Sequence, residues 1–374
     1  MLKQLRTVAA VAMLTVTTYA VAVEMNGTHP DTYVVRKGDT LWDISARFLK
    51  KPWLWPEIWQ ANPQVKNPHL IYPGDVLSLA YLDRVTAQAG PRQEAPITGV
   101  PLADVEPFLK NLNVVDSFED LPYVVGLEDN RLRATLGQKA YVRGLEGAQP
   151  GQRYMVVRPT VRFNQPKPTD DLDNRGRAIL GSGNLWESFV AANDRNEFLG
   201  YELAEVNAGT LTQVASGNVE ASTLQLQDNG REVRAGDRLV PVQTTPYDLQ
   251  FVPHAPANAS APGQLRVLAV TDTFSSGGPR DVIAISGGAR EGIDNGTVFS
   301  IWRSGSHVAH RMQYPGSSRI DDALKTGAGR VTLPDEYAGH AMVFRTFDKV
   351  SYALIMEGTK PARVGYELKH PDAQ

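Results

Sequence analysis

Residues 33–45 read YVVRKGDTLWDIS, and residues 70–77 read LIYPGDVL. The first stretch opens with a strand pattern, Tyr33 to Arg36, that stops at Lys37-Gly38-Asp39. A helix is expected from Thr40, because Thr40 and Asp43 have the spacing of a capping box and Leu41, Ile44 and Phe48 share one apolar face. Lys51-Pro52 ends it. A second short helix follows over Pro56 to Asn62, with proline in its first turn and Asn62, a residue that tolerates the left-handed conformation, before Pro63. Ile71 to Asp75 then reads as a turn and Val76 to Ala80 as a second strand. The order over residues 33–80 is β-α-α-β. So small a unit has one solution: the strands pair and both helices lie on one sheet face.

Outward from this segment, the composition excludes whole classes. Of 374 residues, 42% are hydrophobic and 21% charged, as in an ordinary globular protein. The 38 basic and 41 acidic residues give a net charge of −3, too balanced for nucleic acid as the main partner. The chain has no cysteine, which rules out disulfides, thiolate nucleophiles, cysteine-ligated metals and lipid-modified cysteine. At the N-terminus, Lys3 and Arg6 precede an apolar run ending in Ala20-Val21-Ala22, an A-x-A cleavage pattern. Residues 1–22 are therefore expected to be a cleaved signal peptide, and the mature protein to be periplasmic and not a lipoprotein.

After residue 80 the composition shifts, and residues 81–100 are expected to be a linker. Leu102, Val105 and Leu109 mark one face of a short helix, and beyond it the pattern is β. Strands are expected at Tyr123–Leu127, Ala140–Gly144, Tyr154–Arg158, Phe198–Val206, Leu265–Val270, Val282–Ile285, Thr297–Trp302 and Val350–Met356. The tract PHAPANASAPG, residues 253–263, reads as a second linker. Residues 101–252 and 264–374 are then two β-rich modules. Phe163 to Gly183 reads as an exposed loop. A glycine pattern recurs: Gly151, Gly236, Gly296 and Gly365 each close a pair of glycines and stand three residues before an apolar position, Tyr154, Leu239, Phe299 and Leu368. Glycine permits the positive φ of a tight turn, and the apolar residue then opens a strand.

The 33–80 segment resembles the LysM family in every element and in their order, through Lys37-Gly38-Asp39-Thr40-Leu41-Trp42, Ile58-Trp59-Gln60-Ala61-Asn62-Pro63 and Leu70-Ile71-Tyr72-Pro73-Gly74-Asp75. It departs at Lys50 to Pro56, KKPWLWP, where the connection between helices is longer and more aromatic than in a minimal LysM. The resemblance implies binding of N-acetylglucosamine-containing glycan, such as peptidoglycan, between two loops: Gly38, Asp39, Thr40 and Leu41 on one side, Leu70, Ile71, Tyr72 and Pro73 on the other. Backbone polar groups in a glycine turn suit an N-acetyl group, and apolar side chains suit its methyl and the sugar face. Asp39 and Thr40 have helix capping as a competing role. Trp42 and Trp59 are expected in the module's core, and Trp53 and Trp55 as aromatic contacts for glycan or a partner.

The chain after the LysM segment is similar to LysM proteins associated with the type IV pilus secretin, the TsaP family, through tracts such as Val233-Arg234-Ala235-Gly236-Asp237-Arg238-Leu239 and Phe344 to Leu354. That resemblance implies a flagellar-ring-assembly-like β region that ties an outer-membrane secretin to the wall, with self-association in a ring. No catalytic pattern competes with this reading: there is no G-x-S-x-G, S-x-x-K or H-E-x-x-H, His307 and His310 stand in a Gly/Ser-rich loop, and Glu187-Ser188 lies among β patterns. The expected protein is a non-enzyme without cofactor or metal. A LysM-targeted wall hydrolase and a wall scaffold unrelated to pili are the alternatives.

Overall fold

The computed structural model describes residues 26, 29–66, 71–79, 105, 108–109, 112–166, 186–189, 196–242, 252–258, 260–261, 263–271, 276–305, 307–310, 312–313 and 330–373. The signal peptide, the 81–100 linker and most of the 163–183 loop lie outside these residues.

The N-terminal unit has strand β1 (Thr32–Val34), helix α1 (Leu41–Phe48), a 3-10 turn at Pro52–Leu54, helix α2 (Trp55–Gln60) and strand β2 (Val76–Ser78). β1 and β2 pair antiparallel, Val34 opposite Val76. Helix α1 begins where the sequence expects it. Thr40 Oγ1 accepts from the Asp43 N–H at 3.0 Å, and the Asp43 carboxylate accepts from the Thr40 N–H at 3.1 Å, so both halves of the capping box form. Asn62 does not take the left-handed conformation. Instead its buried side chain clamps α2 to β2: Nδ2 donates to the Ile58 and Ser78 carbonyls at 2.7 and 2.9 Å, and Oδ1 accepts from the Ser78 N–H at 2.7 Å.

The rest of the described chain is almost entirely β. Its strands are β3 (Leu112–Val115), β4 (Tyr123–Leu127), β5 (Lys139–Arg143), β6 (Arg153–Asn164), β7 (Trp186–Phe189), β8 (Phe198–Gln213), β9 (Ser222–Leu226) and β10 (Arg238–Pro241). They continue with β11 (Val267–Thr271), β12 (Ser276–Gly277), β13 (Val282–Ile285), β14 (Val298–Arg303), β15 (His307–Ala309) and β16 (Arg330–Thr332). The last are β17 (Glu336–Thr346), β18 (Ser351–Gly358), β19 (Ala362–Arg363) and β20 (Glu367–Lys369).

Two seven-stranded sheets dominate. The first has the order β3-β8-β6-β10-β4-β5-β9, and a further β8–β9 pairing closes it, with β3 added on the outside of β8. The second has the order β20-β14-β17-β18-β13-β11-β7. An Arg266–Glu367 bridge and the Val267 N–H to Tyr366 carbonyl bond at 2.9 Å join β11 to β20 and close this sheet too, with β7 added to β11. Taking the strands of each barrel in chain order as first to sixth, both run around the circle as first, second, fifth, fourth, third, sixth.

One four-residue turn recurs at equivalent places in the two barrels. Its third residue has φ near +90° and its fourth directly precedes a strand. Gly137 and Arg280 precede the second strand, Gly151 and Gly296 the third, and Gly236 and Gly365 the sixth, with φ from +78° to +99°. In each case the N–H of the left-handed residue donates to the carbonyl of a facing strand residue, whose own N–H donates to the carbonyl of the turn's fourth residue; Gly236 and Asp237 do this with Val124, and Gly365 and Tyr366 with Val267. Type II turns demand such a φ at the third position, which glycine takes at no steric cost. The sequence echoes the duplication: Glu146-Gly147…Gly151…Tyr154…Val156…Arg158 matches Glu291-Gly292…Gly296…Phe299…Ile301…Arg303.

The barrels differ in what surrounds them. Strands β5 and β9 alternate buried residues with partly or fully exposed ones, while β11 and β13 are buried at every position. The alternation is that of a barrel with one face in water, the uniform burial that of a barrel covered outside as well. Ile283, Ile285, Phe299, Ile301, Ala341 and Val343 fill the second barrel. On its outside Val282, Met342, Phe344, Tyr352 and Leu354 join a separate cluster with Val105, Phe108, Leu109, Val161 and Phe163.

This covering crosses the division expected at residues 253–263. β7, from the first half, is a strand of the second sheet, pairing with Ala269–Thr271. The PHAPANASAPG tract is seated rather than free: Pro253 is buried, His254 bridges to Thr297, and the Gly263 N–H donates to Glu367 Oε1 at 2.5 Å. The physical reason is the surplus of apolar residues on the second barrel, which needs chain from outside it for burial.

Candidate functional site

The two glycine turns of the N-terminal unit sit at the same end of its two-stranded sheet. Arg36–Asp39 follows β1, and Tyr72–Asp75 leads into β2 with the Gly74 N–H donating to the Val35 carbonyl and the Val35 N–H to the Asp75 carbonyl, both at 2.8 Å. Gly38 and Gly74 have φ of +89° and +92°. Arg36, Lys37 and Gly38 are exposed, and a Cβ on Gly38 would meet open space.

The expected contact residues divide sharply when placed in the structure. Asp39 is committed internally: Oδ2 accepts from the Tyr33 hydroxyl at 2.7 Å and the Arg36 N–H at 2.8 Å, and Oδ1 from Arg47 Nη2 at 3.0 Å. Burial, and next the bond to Asp39, push the Tyr33 phenol up from its ordinary value. Thr40 caps α1. Leu41 and Ile71 are 2% and 1% exposed, so their side chains belong to the core and offer no surface to a sugar. Tyr72, Pro73 and Gly74 are half-exposed. Leu70 lies outside the described residues. The accessible set brought together is thus the Arg36–Gly38 backbone turn facing Tyr72 and Pro73.

Trp53 and Trp55 are not surface contacts. They are buried, Trp55 against Trp59 with ring centroids 6.5 Å apart, and Trp53 against His340 of β17 at 4.6 Å. Trp42 is buried as expected, while Trp59 is only partly buried and anchors by donating from Nε1 to the Val65 carbonyl at 2.6 Å. Reading the sequence missed Tyr33, Arg47 and Asp75 as the groups that stiffen the loops, although the repeated Gly-Asp pair was the available signal. Asp75 Oδ2 accepts from the Tyr72 N–H at 3.1 Å, the same closure that Asp39 makes with Arg36.

Nothing in this arrangement is set up for bond breaking. The polar side chains at the loops cap and brace backbone, and among the described residues no group of three or more His, Asp and Glu side chains is placed to hold a metal ion. Glu187 and Ser188 lie on β7, paired into the second sheet.

Residues 33–80 match the family model described as LysM domain. A curated relative, the uncharacterized protein YqbP of Bacillus subtilis (strain 168), is 37% identical in an alignment of 60 residues that covers 13% of this chain and 27% of that protein. The match thus spans about a quarter of the relative's length. The N-terminal unit is a LysM domain, of the class that binds peptidoglycan and N-acetylglucosamine glycan without catalysis, and it precedes a mainly-β region with few helices.

Proposed function

We propose that this protein is a non-catalytic periplasmic anchor whose LysM domain grips peptidoglycan and whose two barrels hold an envelope assembly. The observation that carries the reading is the LysM domain itself, with its Arg36–Gly38 turn open to solvent beside Tyr72 and Pro73. The turn's backbone N–H and C=O groups receive the N-acetyl group, and Tyr72 and Pro73 supply the apolar surface for its methyl and the sugar face. The signal peptide at 1–22 delivers the chain to the periplasm, where the LysM domain meets peptidoglycan.

The partner that fits best is the outer-membrane secretin of a type IV pilus, on the resemblance carried by residues 233–239 and 344–354. The barrels would be flagellar-ring-assembly-like modules, joined around a ring. One LysM–glycan contact contributes about 4 to 7 kcal/mol at millimolar to ten-micromolar affinity, so a loaded pore needs many copies acting together. Affinity capture from envelope extracts tests the partner: recovery of the secretin is expected, and its consistent absence leaves a general wall scaffold. Incubation with labelled peptidoglycan tests the absence of catalysis, since released muropeptides would make the protein a wall hydrolase.

A further inference from the structure

The Lys50–Pro56 connection is what separates this LysM domain from a minimal one, and it carries two buried tryptophans. Trp55 is used within the domain. Trp53 is used elsewhere: its ring lies on the imidazole of His340, centroids 4.6 Å apart and planes at 48°. His340 is itself held rigidly. Its Nδ1 is 2.8 Å from Glu357 Oε1 and 2.6 Å from the Tyr337 hydroxyl, and Nε2 is 3.2 Å from the Pro371 carbonyl. The C-terminal residues complete the seat. Ser300 of β14 donates to the His370 carbonyl at 2.7 Å, and Asp372 pairs with Lys51 at 2.8 Å. Three parts of the chain therefore meet at one place: the LysM connection, β17–β18 of the second barrel, and residues 370–372.

We infer that Lys50–Pro56 is a docking element that locks the LysM domain in one orientation on the second barrel. A flat aromatic ring on a ring partner immobilised by bonds at both nitrogens fixes rotation as well as contact, and the Lys51–Asp372 pair fixes a second point. With the lock engaged, Arg36, Lys37 and Gly38 remain exposed, so docking leaves the glycan-facing turn available. The consequence is a defined load path. Force on the barrels reaches the glycan contact through Trp53 and His340 rather than through a flexible tether, and copies arranged in a ring present their turns in a common direction. What that face binds rests on the function proposed above; the lock itself does not.

The absence of native cysteine makes the test direct. Spin labels are placed on Lys66→Cys, in the LysM domain, and on Asn295→Cys, an exposed position in the turn before β14 of the second barrel, in the otherwise unaltered full-length chain. Pulsed dipolar spectroscopy should give one narrow distance distribution. Trp53→Ala should broaden it. Because that change also removes a buried ring, the exposed ion pair gives an independent arm: Lys51→Glu should raise the undocked fraction several-fold, and adding Asp372→Lys should restore the narrow peak. A broad distribution in the otherwise unaltered protein, or an unchanged narrow peak in both Trp53→Ala and Lys51→Glu, overturns the inference. Binding to glycan plays no part in this readout, so its outcome is separate from that of the functional proposal.

Discussion

Single residues expose how tightly the turns are specified. Arg280 has φ +78° where the equivalent turn of the first barrel has Gly137. A non-glycine residue there costs about 1–2 kcal/mol, and restoring glycine returns about 0.4–1 kcal/mol of that to the unfolded chain's entropy. Arg280→Gly should therefore raise stability by roughly 0.5–1 kcal/mol, read from denaturant midpoints at constant m. Gly236→Ala, at φ +90°, should lower it by about 1–2 kcal/mol. A second residue makes a pH prediction. The buried Tyr352 phenol is held well above its ordinary range, first by burial and then by the neighbouring Glu202 carboxylate, to which it donates at 3.0 Å. Unfolded tyrosine ionises near pH 10, whereas Tyr352 in the fold keeps its proton to higher pH. Above about pH 10 the folded state thus binds more protons than the unfolded one, and stability falls as pH rises. Tyr352→Phe should flatten that alkaline limb, leaving the part due to Tyr337, also raised mainly by burial. At pH 7 the same change should cost about 1–3 kcal/mol by stripping a donor from buried Glu202.

Elements show which parts of the fold local sequence can announce. Tyr123–Leu127 and Val282–Ile285 coincide with the expected strands, and α1 starts at its capping box. These rest on residues close in sequence. The continuous apolar runs VLAVT and VIAI of the second barrel contrast with the alternating KAYVR and STLQL of the first, a difference that local sequence does not interpret until the covering is known. β17, buried over most of its length, was missed because Gly339 and His340 interrupt its apolar pattern. Within the LysM domain Leu41 and Ile71 are buried in one cluster with Trp42, Ile44 and Leu77, while the fate of Trp53 depended on His340, which no local pattern can reveal. Asn62 was read as a helix terminator and proved a clamp. Asn62→Ala removes three buried hydrogen bonds at once. It should lower LysM stability by about 2–4 kcal/mol, measured by hydrogen exchange of β2 amides in the full chain.

At the scale of the whole molecule, the two barrels share a topology and a set of turns but not a surface. The first keeps one face of its strands in water. The second is sheathed by Val105, Phe108 and Leu109, by the ends of β6 and β8 and, at Trp53, by the LysM domain, and β7 is added to its sheet. A chain without a single cysteine gains its cohesion this way, through apolar contact and β pairing that cross from one unit to the next. Such a body is suited to passing load from whatever holds the barrels to whatever holds the LysM turn. The central claim is that the turn holds wall glycan, and co-sedimentation of the full-length protein with purified peptidoglycan sacculi, with and without soluble N-acetylglucosamine oligomers, tests it most directly. The account predicts that the protein pellets with sacculi and that the oligomers release it; protein that stays in the supernatant, or pellets equally with excess oligomer present, would contradict it.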